Sequence, residues 1–159
     1  MSARKDSIRQ TILADHAASV AILKAITPEE WERSVPSDEG YPWKARDVLA
    51  HLAVSEGGQL GQLTRCVKGE KPVPEDFDLA RFNRRSVQKQ AARTVAEMLQ
   101  EIETVHGQVL DALDAVAEAD LDKAGRHARG DVITVEEFFR RITDHRRMHA
   151  EELQRTLAH

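Results

Sequence analysis

The 159-residue sequence predicts an all-α protein built as an antiparallel four-helix bundle. Apolar residues recur at steps of three and four in four long segments, the spacing that places them on one face of a helix. No stretch of useful length alternates between apolar and polar residues, as a half-buried strand does. Charged residues make up 31% of the chain and aromatic residues only 4%, which suits a strongly helical protein. We therefore expect a single domain over residues 1–159.

The first helix is predicted from about Ser7 to Ile26, and His16 lies near the middle of its buried stripe. We interpret His16 as a hydrogen-bonded core histidine, with a cavity-lining role as the alternative. Thr27 then supplies an N-cap, and Glu30 follows three residues later, so a short helix is predicted around Trp31.

The second helix is predicted from about Trp43 to Val67, after a loop at Ser34 to Pro42 that contains two prolines and a glycine. His51 lies on the flank of its apolar stripe. Glu56 lies near the centre of the stripe, where a carboxylate needs a partner or access to water. The Gly57–Gly58 pair lowers helix propensity. Close helix packing, a ligand cleft or tolerated variation would each explain this pair.

A long third helix is predicted from a cap at Asp76 or Asp78 to about Ala117, with the apolar spacing of a packed bundle helix. Extending its stripe backwards by one turn reaches Asn83. A polar amide at this position indicates either a polar cavity or a satisfied cap or buried network. The following connection, Glu118 to Ile133, is longer than bundles usually need and is long enough to fold over one end of the bundle.

The last helix is predicted from Thr134 to Leu157, where Thr134 and Glu137 form a capping box. His145 and His149 are four residues apart and therefore lie on one face, about one turn from each other. Both fall at the edge of the apolar stripe. Two histidines at this position either share a metal ion or need other hydrogen-bond partners, although such pairs also occur on helix surfaces.

Charge and composition exclude several classes of function. The net charge of −4 and the absence of a long basic run argue against a dedicated nucleic-acid binder. The single cysteine, Cys66, rules out an internal disulfide framework and suits a reducing compartment. No apolar run approaches the roughly 20 residues that a membrane span requires, and no signal peptide is recognisable. We expect a cytoplasmic protein with neither a nucleic-acid nor a membrane partner.

Several of these features occur together in one known family. The segment WKARDVLAH that ends at His51, the segment FNRRSVQ in the third helix, and the closing H-x3-H pair resemble the DinB/YfiT-like superfamily of four-helix bundles. The resemblance extends over nearly the whole chain in order and spacing. It implies a divalent metal ion, such as zinc, nickel or iron, held by His51, His145 and His149 near one end of the bundle. It also implies a homodimer.

The same resemblance implies an activity on a small molecule. Characterised members of the superfamily include metal-dependent transferases, isomerases and hydrolases, several of which use low-molecular-weight thiols such as mycothiol, bacillithiol or glutathione. Three protein ligands leave a coordination position open, as in catalytic zinc sites. We therefore expect an enzyme that acts through metal-activated water or thiol, with Ser55, Glu56 and Asn83 as candidate pocket residues. The alternative is a non-catalytic stress-response or binding protein with a structural or sensory metal.

The remaining polar candidates have weaker support. Asp47 and Glu152 lie within one helical turn of predicted ligands and are candidates to orient the imidazole rings, or else they are solvated helix charges. His106, His127 and His159 are interpreted as surface or loop residues outside the site.

Overall fold

A computed structural model describes residues 2–37 and 42–158 of the protein. In chain order the elements are α1 (Ala3–Ala25), α2 (Pro28–Trp31), β1 (Ser34–Val35), β2 (Trp43–Lys44), α3 (Ala45–Val67), α4 (Leu79–Lys89), α5 (Val95–Ala115), a 3₁₀ turn (Glu118–Asp122), β3 (Ala124–Arg126), β4 (Val132–Thr134) and α6 (Val135–Leu157). The strands form two short antiparallel ribbons, β1 with β2 and β3 with β4. His159 and part of the predicted loop at Ser34 to Pro42 lie outside the described residues.

The predicted four-helix bundle is confirmed and consists of α1, α3, α5 and α6. Both α1 and α3 pack against α5 and α6. The pairs α1/α5 and α3/α6 are antiparallel. The pairs α1/α6 and α3/α5 run parallel, because Arg4 and Glu136 pair at the starts of one, and Arg46 donates to the Arg93 carbonyl at the start of the other. No described helix is long and apolar enough to cross a membrane.

The prediction of one long third helix is wrong, because this segment forms two helices. Gln90 caps the end of α4, and α5 begins only at Val95. The Thr94 hydroxyl accepts a hydrogen bond from the backbone N–H of Glu97, which starts the new helix. The break lets α4 pack against α3. The side chain of Asp78 caps α4, as one of the two predicted alternatives requires.

In the described part of the chain, a buried polar layer separates two apolar clusters of the bundle core. One cluster contains Leu23, Leu49, Leu52, Met98, Ile102 and Leu153, and the other contains Ile8, Ile12, Leu63, Val109, Phe138 and Ile142. The layer between them contains Ser19, Glu56 and Arg146, all buried, together with the partly buried His16. Buried polar groups of this kind require partners within the protein.

His16, in this polar layer, contacts Arg146, Glu103 and the ring of His106. The guanidinium of Arg146 donates to Nδ1 of His16, so Nε2 of that ring carries the proton and donates to Glu103 across 3.1 Å. His16 is therefore the predicted hydrogen-bonded core histidine. The interpretation of His106 as a surface or loop residue is wrong, because its ring stacks on His16 with centroids 3.5 Å apart.

Candidate metal centre

Three histidine side chains meet near one end of the bundle, one from α3 and two from α6. Nε2 of His145 lies 3.4 Å from Nε2 of His51 and 3.1 Å from Nε2 of His149. The nitrogen atoms that these three residues offer as ligands lie within 4.8 Å of one another. Two ligands of a tetrahedral zinc ion, each about 2.0–2.1 Å from the metal, are about 3.3 Å apart. The separations of His145 from His51 and from His149 therefore fit two ligands of one metal ion.

The local sequence accounts for this convergence. His145 and His149 are stacked by one turn of α6, and α3 runs antiparallel beside them so that His51 meets both rings edge-on. The ring of Trp43, at the end of β2, lies 5.8 Å from the ring of His51 on another side. The histidines are thus held by two bundle helices and one strand.

Burial keeps the imidazoles of His51 and His145 neutral at neutral pH. Removal from water, together with the neighbouring His149 and Arg129, lowers the pKa of His51 to about 4. Removal from water lowers the pKa of His145 to about 2, with His149 and His51 contributing next. A neutral imidazole has a lone pair to donate to a metal ion, and nitrogen atoms of three imidazoles lie close together here. The donor set therefore fits a divalent metal ion that accepts nitrogen ligands.

The two predicted orienting carboxylates behave differently. Asp47 accepts a hydrogen bond from the backbone N–H of Lys44, and so caps α3 rather than orienting a ring. An oxygen of Glu152 lies 3.8 Å from Nδ1 of His149, which is an ion-pair distance but too long for a hydrogen bond. Nδ1 of His145 is buried without a hydrogen-bond partner among residues 2–37 and 42–158.

A cavity of about 490 Å³ opens beside the three histidines. This volume is within the range of roughly 300–1,000 Å³ that is typical of small-molecule sites. Its walls come from β1, β2, α3, α6, the segment before and within α4, and the turn between β3 and β4. Apolar walls are formed by Val35, Trp43, Val48, Val73, Phe82, Met148 and Leu153, and polar side chains are contributed by Gln59, Gln62, Arg65, Arg129, Arg141 and Glu152.

The candidate pocket residues occupy different places. Ser55 and Asn83 line the cavity, and Asn83 is buried there. Among the described residues, those that line the cavity do not include Glu56, which pairs with Arg146 in the polar layer of the core.

The placement of His127 on the surface and outside the site is wrong. His127 is only 4% exposed, lines the cavity, and has Nε2 3.2 Å from the amide oxygen of Gln59. The sequence contains a signal for this side of the site that the prediction missed. His51, Ser55, Gln59 and Gln62 recur at helical spacing and form a polar stripe along α3.

Comparisons with known proteins agree with this fold. The chain resembles a crystal structure of a mycothiol-dependent maleylpyruvate isomerase with TM-score 0.77 and 13% identity, over 96% of this chain and 63% of that chain. It therefore spans less than two thirds of that isomerase. A structure described as "YfiT from Bacillus subtilis is a probable metal-dependent hydrolase with an unusual four-helix bundle topology" matches with TM-score 0.70 and 18% identity, over 99% of this chain and 90% of that one.

An uncharacterised protein from Escherichia coli matches with TM-score 0.71 and 14% identity, over 96% of this chain and 91% of that chain. No curated protein matches the chain in sequence. The sequence profile of the DinB superfamily matches residues 9–153, which is most of the chain. The chain therefore belongs to the DinB superfamily.

Proposed function

We propose that the chain is a metal-dependent enzyme that acts on a small molecule, with the divalent metal held by His51, His145 and His149. The observation that carries this proposal is the meeting of three imidazole nitrogens at the wall of a cavity of about 490 Å³. The similarity to a probable metal-dependent hydrolase and to a mycothiol-dependent isomerase supports the same proposal.

The metal and the side chains around the histidines would have different roles. A divalent metal bound here would supply Lewis acidity and would lower the pKa of water or a thiol. Trp43, whose ring lies 5.8 Å from that of His51, and Val48 line the cavity and give an apolar surface for the body of a substrate. Ser55 and Asn83 supply hydrogen-bonding groups at the cavity wall that can orient the substrate.

The cavity is the reason to favour an enzyme over a non-catalytic protein. A structural or sensory metal site is closed by protein ligands, whereas a catalytic site keeps a position that substrate or water can reach. Three protein ligands beside a cavity correspond to the second arrangement. The reaction belongs to the transferase, isomerase or hydrolase classes, with metal-activated water or a low-molecular-weight thiol as the nucleophile.

A thiol must enter from outside the chain, because the single cysteine cannot serve. Cys66 is buried, and burial raises the pKa of its thiol. The other parts of the proposal are a single domain over residues 1–159, a cytoplasmic location and a homodimer. A sedimentation mass near the 17.9 kDa of one chain at micromolar concentration would contradict the dimer.

Turnover in reconstituted protein tests the proposal. Metal-free protein is loaded separately with zinc, nickel or ferrous iron and assayed for hydrolysis of activated esters and for thiol transfer from mycothiol, bacillithiol or glutathione to an electrophile. We expect activity that requires the metal and is lost in His149→Ala but kept in His106→Gln, which lies outside the cavity. Stoichiometric metal binding without turnover on either substrate class would favour the structural or sensory alternative.

A further inference from the structure

The turn between β3 and β4 is held beside the cavity by several polar contacts, of which the one between His127 and Gln59 is buried. It closes through the backbone N–H of His127, which donates to the Asp131 carbonyl across 2.8 Å, and Gly130 occupies the left-handed region with φ of 100°. Two side chains of α3 contact this turn. Gln59 contacts the ring of His127, and the amide oxygen of Gln62 accepts from the backbone N–H of Ala128 across 3.3 Å.

These contacts fix the backbone on both sides of Arg129. Its own N–H donates to Nδ1 of His127 across 3.1 Å, so Nε2 of that ring carries the proton and donates to the oxygen of Gln59. On the other side, Arg141 of α6 binds both carboxylate oxygens of Asp131, at 3.1 and 2.9 Å.

The turn presents the cationic side chain of Arg129 to the cavity. Arg129 is exposed to solvent and lines the cavity, and within the described part of the chain its guanidinium makes no hydrogen bond or ion pair. The other two arginines of the cavity are engaged, since Arg65 donates to the Pro72 carbonyl and Arg141 binds Asp131.

The field in the cavity is correspondingly positive. Among the described lining residues, the acidic side chain is Glu152, beside His149. Because Asp131 already pairs with Arg141, the described lining leaves Arg65 and Arg129 against Glu152, and this excess of positive charge favours an anionic ligand.

We propose that Arg129 binds a carboxylate of the substrate, so that the substrates are small organic acids with an apolar body. The planar guanidinium can donate two parallel hydrogen bonds to one carboxylate. Val48, Phe82 and Leu153 supply the apolar walls for the rest of such a molecule. That the bound acid is a substrate rests on the proposed function, whereas its binding to Arg129 does not require a metal.

The test compares acids with their uncharged amides. Propanoate, hexanoate and 3-phenylpropanoate, and the amide of each, are titrated calorimetrically into metal-free and zinc-loaded protein. Arg129→Gln is the test variant, and Arg126→Gln removes the same charge from the same hairpin outside the cavity lining. We expect at least one acid to bind the unmodified protein about tenfold or more tightly than it binds Arg129→Gln, in metal-free protein as well. Binding to Arg126→Gln should be unchanged, and the amides should not distinguish the variants.

Two results would overturn the inference. One is that none of the acids binds the unmodified protein more tightly than its amide does. The other is that Arg126→Gln weakens acid binding as much as Arg129→Gln does, because acid binding would then depend only on the net charge of the protein. Melting curves confirm that both variants are folded. Zinc content, measured in the same samples, separates the proposals: acid binding that depends on Arg129 in a protein that never retains metal contradicts the proposed function alone.

Discussion

Nε of Arg146 lies 2.5 Å from Oε1 of Glu56, and the two side chains are 0% and 1% exposed. Arg146 directly follows His145 in α6, and Glu56 lies five residues after His51 in α3. The ion pair therefore fixes the register of the two helices that hold the candidate ligands. Burial raises the pKa of Glu56 to about 7, against the opposing influence of Arg146.

Removal of one partner of this pair should be strongly destabilising. Glu56→Ala leaves a buried guanidinium without its counter-charge, which typically costs about 3–5 kcal/mol. Urea denaturation measures this loss. The matched control is Glu75→Ala, which breaks the exposed Lys71–Glu75 pair and should leave the unfolding midpoint unchanged. Equal midpoints for the two variants would contradict the structural role of the buried pair.

Acidification should destabilise the protein through the half-buried His106 and the buried His127. Burial lowers the pKa of His106 and of His127 from 6.5 to about 4. Between these values the unfolded chain takes up protons that the folded chain does not, so stability is full above pH 6.5 and falls towards pH 4. Glu56 has the opposite sign, since its raised pKa favours the folded state on acidification.

The contribution of each histidine is isolated by comparison with a variant. His106→Asn and His127→Asn should each lose less stability than the unmodified protein between pH 6.5 and 4, because one shifted group is absent and Glu56 is common to all. Urea midpoints across this range measure the difference. Parallel pH profiles for all the proteins would contradict the lowered pKa of these two histidines in the folded protein.

Two glycine substitutions should change stability in opposite directions. A Cβ atom at Gly125 would lie 2.7 Å from Cγ of Pro72 and 3.0 Å from Sγ of Cys66, so Gly125→Ala should cost about 1–3 kcal/mol. A Cβ atom at Gly57 meets nothing within 4 Å, so Gly57→Ala within α3 should stabilise by about 0.4–1 kcal/mol. Urea midpoints that move in the same direction would contradict the close packing of β3 on the end of α3.

Metal removal should lower stability without unfolding the bundle. A metal that binds only the folded state adds about 2.7 kcal/mol at a concentration one hundredfold above its dissociation constant. A chelator should therefore lower the melting temperature reversibly. The circular dichroism signal at 25 °C should stay helical, because neither apolar cluster contains any of the three candidate ligands. A melting temperature that is insensitive to chelator in metal-loaded protein would contradict the site.

Local patterns in the sequence predicted most of the fold. The apolar spacing located the bundle helices, and the Thr27–Glu30 and Thr134–Glu137 capping boxes are present as predicted. The break between α4 and α5 was missed because Val87, Ala91 and Val95 continue the helical period across it. The period of apolar residues reports which face is buried, but it does not report where the backbone turns. The Thr94–Glu97 cap carried that information.

Predictions that depend on tertiary contacts were less successful. His127 contacts Gln59, which is 68 residues away, and the ring of Phe138, and a loop histidine has no periodic signal of its own that predicts these contacts. The i,i+4 spacing of His145 and His149 is visible locally. The proximity of His51 depends on the packing of α3 beside α6, and it was the family resemblance that indicated all three residues as ligands.

The metal content of purified protein and of its histidine variants tests the central claim most directly. The protein is incubated with zinc, nickel or ferrous iron, and free metal is removed. Elemental analysis by mass spectrometry should then find about one metal ion per chain. His51→Ala, His145→Ala and His149→Ala should each lose most of it with helicity intact, because each removes one of three ligands, whereas His106→Gln should retain it. Protein that binds none of these metals, or a His51→Ala variant that keeps the full content, would contradict the three-histidine site.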